Sequence, residues 1–121
     1  LEKYKLYINP TEIHNVLYFS NLFIGEGATM ASECAILGTP SIYINSLTAG
    51  TLEAQEKDGL LNIFQSGEAV ITKAIDILKN DNSKDEQRKI CNKVLESKID
   101  VNQFIEQFIL GYPKNINKEN N

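Results

Sequence analysis

The chain has 121 residues, with 12 basic against 16 acidic side chains and a formal net charge of −4. This length fits one domain, and a hydrophobic fraction of 42% is ordinary for a globular protein, which argues against a disordered chain. The acidic balance disfavours nucleic-acid binding, and the longest apolar runs fall short of the roughly 18 residues of a membrane-spanning helix.

The cysteine and histidine content limits the chemistry. Cys34 and Cys91 are far apart, no CxxC pair is present, and His14 is the single histidine. We therefore predict reduced thiols in a cytoplasmic protein and expect no disulfide framework, no metal and no cofactor. The chain opens at Leu1 within an apolar alternation, and we interpret it as a piece of a longer protein.

The first segments in chain order predict a strand and a helix. Tyr4–Ile8 is a short candidate strand. Asn9 is the expected N-cap of the helix, Pro10 its first position, and Glu12 would face back toward the cap. The helix is expected to bury a stripe formed by Ile13, Val16, Leu17 and Phe19.

Two further strands flank the next predicted helix. The apolar run Asn21–Gly25 predicts a buried strand, and Ser41–Ile44 is rich in β-branched and aromatic residues. Between them a helix is predicted over Ala28–Leu37, ended by Gly38. Asn45–Thr51 is predicted to be a loop.

The second half of the chain is predicted to be mostly helical. Leu52–Asp58 is a short helix, Leu60–Phe64 a fourth strand, and Ser66 the expected cap of the helix that follows. Two more helices are predicted, the last capped by Asp100. The apolar positions expected on these three helices are Val70, Ile71, Ala74, Ile75 and Leu78, then Ile90, Val94 and Leu95, then Val101, Phe104, Ile105, Phe108 and Ile109.

These strands and helices predict an α/β fold. Strands that are apolar on both faces and separated by helices are typical of a parallel sheet covered on two sides. We therefore predict a partial Rossmann-like sheet flanked by helices, with C-terminal helices, as one domain over residues 1–111 and a disordered tail over 112–121. Ligands of such sheets bind at the carboxyl ends of the strands.

The turn after the second strand carries the candidate site. Gly25 and Gly27 allow a close backbone approach to a ligand, and the helix beginning at Ala28 offers free N–H groups to an anion. The Thr29 hydroxyl could add a phosphate contact, and Glu33 follows one turn later. A phosphate-binding helix start followed by a carboxylate suits a nucleotide diphosphate, because the carboxylate would accept hydrogen bonds from its ribose hydroxyls.

The same residues have an ordinary structural interpretation. Glycines at a strand–helix turn often serve the turn alone, and Glu33 on a helix face is commonly solvated. Glu26 would repel a phosphate beside the loop, although it would also complement the helix dipole. No third glycine completes a dinucleotide fingerprint, and no P-loop is present.

The stretch Leu22–Asn45 resembles the C-terminal half of GT-B, glycosyltransferase-like proteins. It is most similar to an uncharacterised bacterial and archaeal family, and also resembles UDP-N-acetylglucosamine 2-epimerases and the N-acetylglucosaminyltransferases of peptidoglycan synthesis. The resemblance implies that Gly27, Ala28 and Thr29 hold a nucleotide diphosphate and that Glu33 holds its ribose. The shared motif comprises Gly25, Gly27, Thr29-Met30, Glu33, Leu37-Gly38 and Pro40.

Three positions test how far the resemblance extends. Relatives often carry two small residues where this chain has Glu26-Gly27. Gln55, after the loop that corresponds to the sugar-contacting loop of transferases, could bind sugar hydroxyls or be an ordinary exposed glutamine. His14 is expected to be a surface or packed residue rather than a catalytic base.

The resemblance also implies that a separate N-terminal Rossmann-like half precedes this chain. The strand ending at Gly25 would then lack its central neighbour, so we predict either a homodimer through this region or pairing of Tyr4–Ile8 with Leu22–Gly25.

The leading functional hypothesis is the UDP-sugar-binding part of a glycosyltransferase-like enzyme of surface-polysaccharide or cell-envelope sugar metabolism. A 2-epimerase-like fragment and a non-catalytic Rossmann-like interaction module are the alternatives. Because the acceptor site and catalytic base would lie on the other half, the isolated chain is expected to be inactive. The implied partners are a UDP-linked sugar and that half.

Overall fold

The computed structural model describes residues 1–47 and 49–112 and confirms the α/β class. Its sheet has three parallel strands in the order β1-β2-β3, with Ile24 opposite Ile42 and Tyr43 opposite Ile63. The strands are β1 (Phe23–Gly25), β2 (Ser41–Ile44) and β3 (Asn62–Phe64).

The described residues form six α-helices. Helix α2 ends two residues before Gly38, whose φ of +70° is the left-handed conformation that favours glycine, so the predicted end of this helix is confirmed. Among the described helices, none combines the length and the apolar character that crossing a membrane requires. The helices are α1 (Ile13–Phe19), α2 (Ala28–Ile36), α3 (Gly50–Lys57), α4 (Glu68–Lys79), α5 (Ser83–Glu96) and α6 (Val101–Gly111).

The predicted strand Tyr4–Ile8 is wrong. A 3-10 turn covers Glu2–Tyr4, the following residues have no regular structure, and Leu6 is 64% exposed. An apolar alternation forms a strand only where another strand accepts its backbone hydrogen bonds, and in the described part of the chain β1 pairs with β2 alone. Pairing of this segment with β1 is therefore wrong, while the homodimer stays a prediction.

At the start of α1, Asn9 is a capping residue as predicted, but the element that it caps and the role of Glu12 differ from the prediction. Asn9 Oδ1 accepts a hydrogen bond from the Thr11 N–H at 3.1 Å, but the capped element is a 3-10 turn over Pro10–Glu12. The Glu12 carboxylate accepts from the Asn15 side chain at 2.7 Å instead of reaching back to the cap. Leu17 is buried as predicted, whereas Phe19 is 74% exposed.

The core lies on both faces of the sheet. Tyr43 points to one face, where α2, α3 and α5 contribute side chains, and Ile42 points to the other, where α4 supplies Val70 and Ala74. The larger cluster consists of Ala31, Ala35, Tyr43, Leu52, Leu60, Leu61 and Cys91.

Several apolar positions expected to be buried are exposed. On α4, Val70 and Ala74 are buried, but Ile71, Ile75 and Leu78 are at least 43% exposed, and Ile77 packs in their place. The helix begins at Glu68 with Gly67 as N-cap, so the predicted cap at Ser66 is also wrong.

Helix α5 joins the ends of three other helices. Its side chains donate hydrogen bonds from Lys84 Nζ to the Ser20 carbonyl after α1 (2.8 Å) and from Gln87 Nε2 to the Leu60 carbonyl after α3 (2.9 Å). Cys91 Sγ lies 3.2 Å from the last carbonyl of α2, at Ile36. The Ser20 and Leu60 carbonyls lie beyond the ends of their helices and the Ile36 carbonyl is in the last turn of α2, so α5 supplies donors to acceptors outside the regular helical hydrogen bonds.

The predicted helix α6 and its cap are confirmed, and the structure adds that its apolar face is exposed. The Asp100 carboxylate accepts from the Gln103 N–H at 3.1 Å, as predicted for an N-cap. Every residue from Val101 to Leu110 is exposed. Of the predicted disordered tail, residues 113–121 lie outside the described residues.

Candidate functional site at the start of helix α2

The turn from β1 into α2 exposes the first amides of the helix. Gly27 is the N-cap, and the first helical hydrogen bond runs from the Ala31 N–H to the Gly27 carbonyl at 3.0 Å. The N–H groups of Ala28, Thr29 and Met30 therefore precede the helical hydrogen-bond ladder. Gly27 and Thr29 are exposed, so these amides are placed where an anion can approach them.

Three of the predicted site residues line one cavity. Ala28, Thr29 and Glu33 surround a volume of about 280 Å³ with Ser32 and Thr51. The positions on α2 share a face because they are separated by about one helical turn. Ser32 was missed although this spacing could have found it, whereas Thr51 enters only because α3 packs against α2.

Different local surroundings explain the glycines at positions 25 and 27. A Cβ on Gly25 would lie 2.7 Å from Cζ of Phe23, so the aromatic ring occupies the space that a side chain would need. A Cβ on Gly27 would meet only Met30 Cβ, at 3.9 Å, and its φ of −81° suits any residue. Gly25 is therefore accounted for by packing, while the open approach at Gly27 has no packing requirement.

Glu33 lies between the cavity and a histidine. His14 Nε2 is 3.5 Å from Glu33 Oε1, and the exposed fractions of the two side chains are 62% and 38%. Glu33 also borders a second cavity of about 430 Å³, together with His14, Ile36 and Leu37. The expectation of a surface residue holds for His14, and its approach to Glu33 is a contact that the sequence did not indicate.

Cys34, beside this site, is not a reactive cysteine. Burial raises the pKa of the Cys34 thiol to about 11, and the neighbouring Glu33 carboxylate adds to this rise. Burial likewise raises the pKa of Cys91, against a smaller opposing effect of a hydrogen bond from the Gly38 backbone. Both thiols are free and neutral at physiological pH, so neither is an activated nucleophile.

The remaining predicted positions lie apart from the cavity. Gln55 is half-buried on α3 and does not line the cavity that contains Glu33, and its Oε1 is buried with no hydrogen-bond partner among the described residues. Glu26 is exposed in the turn before α2, where its carboxylate adds negative charge near the free amides.

The site and fold together define a Rossmann-like α/β protein with a small cavity at the carboxyl edge of its sheet. No protein-family model matches the chain, and no curated protein and no solved structure is significantly similar to it. The resemblance to GT-B proteins therefore stays a prediction.

Proposed function

We propose that this chain is the UDP-sugar-binding part of a glycosyltransferase-like protein in surface-polysaccharide or cell-envelope sugar metabolism. The cavity formed by Ala28, Thr29 and Glu33 carries the proposal, because it joins free helix amides, a hydroxyl and a carboxylate. The amides and the positive end of the helix dipole would hold the pyrophosphate, and the Glu33 carboxylate would accept hydrogen bonds from the ribose hydroxyls.

The position of the cavity supports the proposal. Thr29 follows the carboxyl end of β1, and Thr51 follows β2, so the cavity opens where ligands of parallel α/β sheets bind. Its volume of about 280 Å³ is below the 300–1,000 Å³ or so of complete small-molecule sites. A second wall is therefore part of the proposal, supplied by a separate Rossmann-like half that also carries the acceptor site.

We also propose that the protein is cytoplasmic. Cys34 and Cys91 are buried, free and held as neutral thiols, which suits a reducing compartment. An epimerase-like fragment would use the same nucleotide contacts, so it is a variant of this proposal with a different reaction on the missing half.

A non-catalytic interaction module is the second candidate, and Glu26 favours it. A carboxylate one residue before the N-cap competes with a phosphate for the positive end of α2, and it stabilises the helix dipole with no ligand present. This candidate retains the helix and its cavity but predicts no nucleotide binding.

A titration of the ¹⁵N-labelled chain with UDP and UDP-N-acetylglucosamine separates the two candidates. Binding at the proposed site shifts the amide resonances of residues 27–33 in a saturable way. Glu33→Ala should then weaken binding about tenfold or more, because it removes a charge-assisted hydrogen bond. Glu53→Ala, at an exposed position in the first turn of α3, is the matched control and should leave the affinity unchanged.

Gly27→Ala tests the phosphate contact separately from the fold. The new methyl group meets only Met30 Cβ within the protein, so the folded state should persist, but the methyl lies beside the amides that a phosphate would approach. The proposal expects weaker UDP binding at unchanged stability. Unshifted amides at millimolar nucleotide in the unmodified chain would refute it and leave the interaction module.

A further inference from the structure

A second cavity adjoins the proposed nucleotide site along α2. Its volume is about 430 Å³, and it is lined by His14 of α1 and by Ser32, Glu33, Ile36 and Leu37 of α2. Ser32 and Glu33 also line the cavity of about 280 Å³ at the start of the helix. The two cavities therefore share part of their lining, and Glu33 lies where they meet.

The two cavities differ in chemistry. The first lies beside the free amides at the start of α2, whereas the second is bordered by the aliphatic side chains of Ile36 and Leu37 and by no lysine or arginine. Ile36 is 45% exposed and belongs to neither core cluster of the described residues, so its side chain is open to a ligand. An apolar wall with a few polar groups suits an uncharged ring rather than a phosphate.

The residues that line the two cavities follow one face of α2. Thr29, Glu33 and Ile36 are separated by four and then three residues, which is the spacing of side chains on the same face of a helix. At a rise of about 1.5 Å per residue, Glu33 lies about 6 Å and Ile36 about 10 Å along the helix from Thr29. A nucleoside diphosphate has its parts in a matching order, with the ribose between the phosphates and the base. With the phosphates at the helix start and the ribose at Glu33, the base extends toward Ile36.

We propose that this second cavity is the subsite for the base of the nucleotide, so that the site binds a complete nucleoside diphosphate. Ile36 and Leu37 pack against a face of the uracil ring, while the Ser32 hydroxyl and the His14 imidazole offer hydrogen bonds to its polar edge. The base subsite rests on the proposed function, because a nucleotide reaches it only with its phosphates at Thr29 and its ribose at Glu33.

Two ligands that differ in the base test the subsite. UMP and ribose 5-phosphate carry the same phosphate and sugar, but only UMP has a base. The unmodified chain should bind UMP at least about tenfold more tightly than ribose 5-phosphate, because burial of the ring against Ile36 and Leu37 adds to the phosphate and ribose contacts. The amide shifts of the ¹⁵N-labelled chain measure both affinities.

Variants separate the base contacts from the ribose contacts. Ile36→Ala should weaken UMP binding about threefold or more and leave ribose 5-phosphate binding unchanged, since only the base contacts this side chain. Glu33→Ala should weaken the binding of both ligands, since both carry the ribose hydroxyls. Ile75→Ala is the matched control and should change neither affinity, because Ile75 on α4 is 43% exposed and lines neither cavity.

Nuclear Overhauser effects locate the base without a variant. In the complex with UDP, the ring protons of uracil should show contacts with the methyl groups of Ile36 or Leu37. If UDP binds and Glu33→Ala weakens its binding, but Ile36→Ala does not and no such contact is seen, the base subsite is overturned and the proposed function stands. If neither UDP nor ribose 5-phosphate binds, the proposed function fails, and the base subsite fails with it.

Discussion

Helices α2 and α6 differ in how well their sequence pattern predicts burial. Helix α2 has small side chains and a weak apolar stripe, yet Ala31, Cys34 and Ala35 are completely buried. Helix α6 has a strong stripe in which the rings of Phe104 and Phe108 stack with centroids 6.4 Å apart, yet both phenylalanines remain about half exposed.

The difference shows that a surface to pack against decides burial more than the size of the apolar stripe does. The small residues of α2 let its backbone approach β1, β2 and α3 closely, and each of these elements contacts it. Helix α6 follows the turn at residues 97–100 and meets no comparable surface within the described part of the chain. Substitutions on these helices and at their contacts test this conclusion.

The largest effect is expected where α3 packs on α2. Leu52 is 1% exposed and belongs to the cluster that contains Ala31 and Ala35. Leu52→Ala should lower the free energy of unfolding by about 2–5 kcal/mol, because it leaves a cavity against residues that cannot expand to fill it. Urea unfolding monitored by circular dichroism measures this loss. Glu53→Ala is the exposed neighbour and should change stability by less than about 0.5 kcal/mol.

The end of α2 should be the next most sensitive position. Gly38→Ala forces a side chain into a φ of +70° and places its Cβ 2.8 Å from Arg88 Cγ, so a loss of about 2–4 kcal/mol is expected. Gly50→Ala is a suitable control, because a Cβ at that first position of α3 has no heavy atom within 4 Å and alanine favours the helix. Equal losses in the two variants would show that the left-handed conformation and the Arg88 contact are unimportant.

Burial of Cys34 should make stability depend on alkaline pH. The folded pKa of about 11 lies above the ordinary thiol value, so the stabilisation is complete at neutral pH and is lost as pH rises toward 11. Between pH 8 and pH 10.5 this difference corresponds to about 1–2 kcal/mol. Denaturant unfolding of the unmodified chain and of Cys34→Ala across this range isolates the thiol. Parallel pH profiles would show that Cys34 ionises in the folded state as it does in the unfolded chain.

The smallest effect is expected on α6. Phe108→Ala removes a large side chain that is 48% exposed, and the free energy of global unfolding should change by less than about 0.5 kcal/mol. The same urea experiment measures it beside Leu52→Ala. A loss as large as that of Leu52→Ala would mean that the stripe of α6 is covered in solution, and a concentration-dependent loss would identify a second copy of the chain as the cover.

The parts of the fold that could be predicted from sequence have local causes. Gly38 and Pro40 mark the end of α2, Asp100 caps α6, and the apolar run ending at Ile44 forms β2, since each signal acts within a few residues. Ala28, Thr29 and Glu33 share a cavity for the same reason, because helical spacing alone puts them on one face.

The parts that could not be predicted depend on distant partners. Thr51 reaches the cavity through the packing of α3 on α2, and His14 approaches Glu33 through the packing of α1 on α2. Tyr4–Ile8 has the alternation of a strand, but strand formation needs a neighbour that no local pattern specifies. Arg88 Nε, which has no hydrogen-bond partner among the described residues, is likewise not recognisable from the sequence, where Arg88 is one more charge on a helix.

The hydrogen bonds from α5 to the ends of α1, α2 and α3 all lie at one edge of the sheet. This is the amino edge of the sheet, opposite the turns that follow Gly25 and Ile44. The cavity lined by Thr29 and Glu33 therefore lies at the edge of the sheet opposite the contacts that join the helix ends.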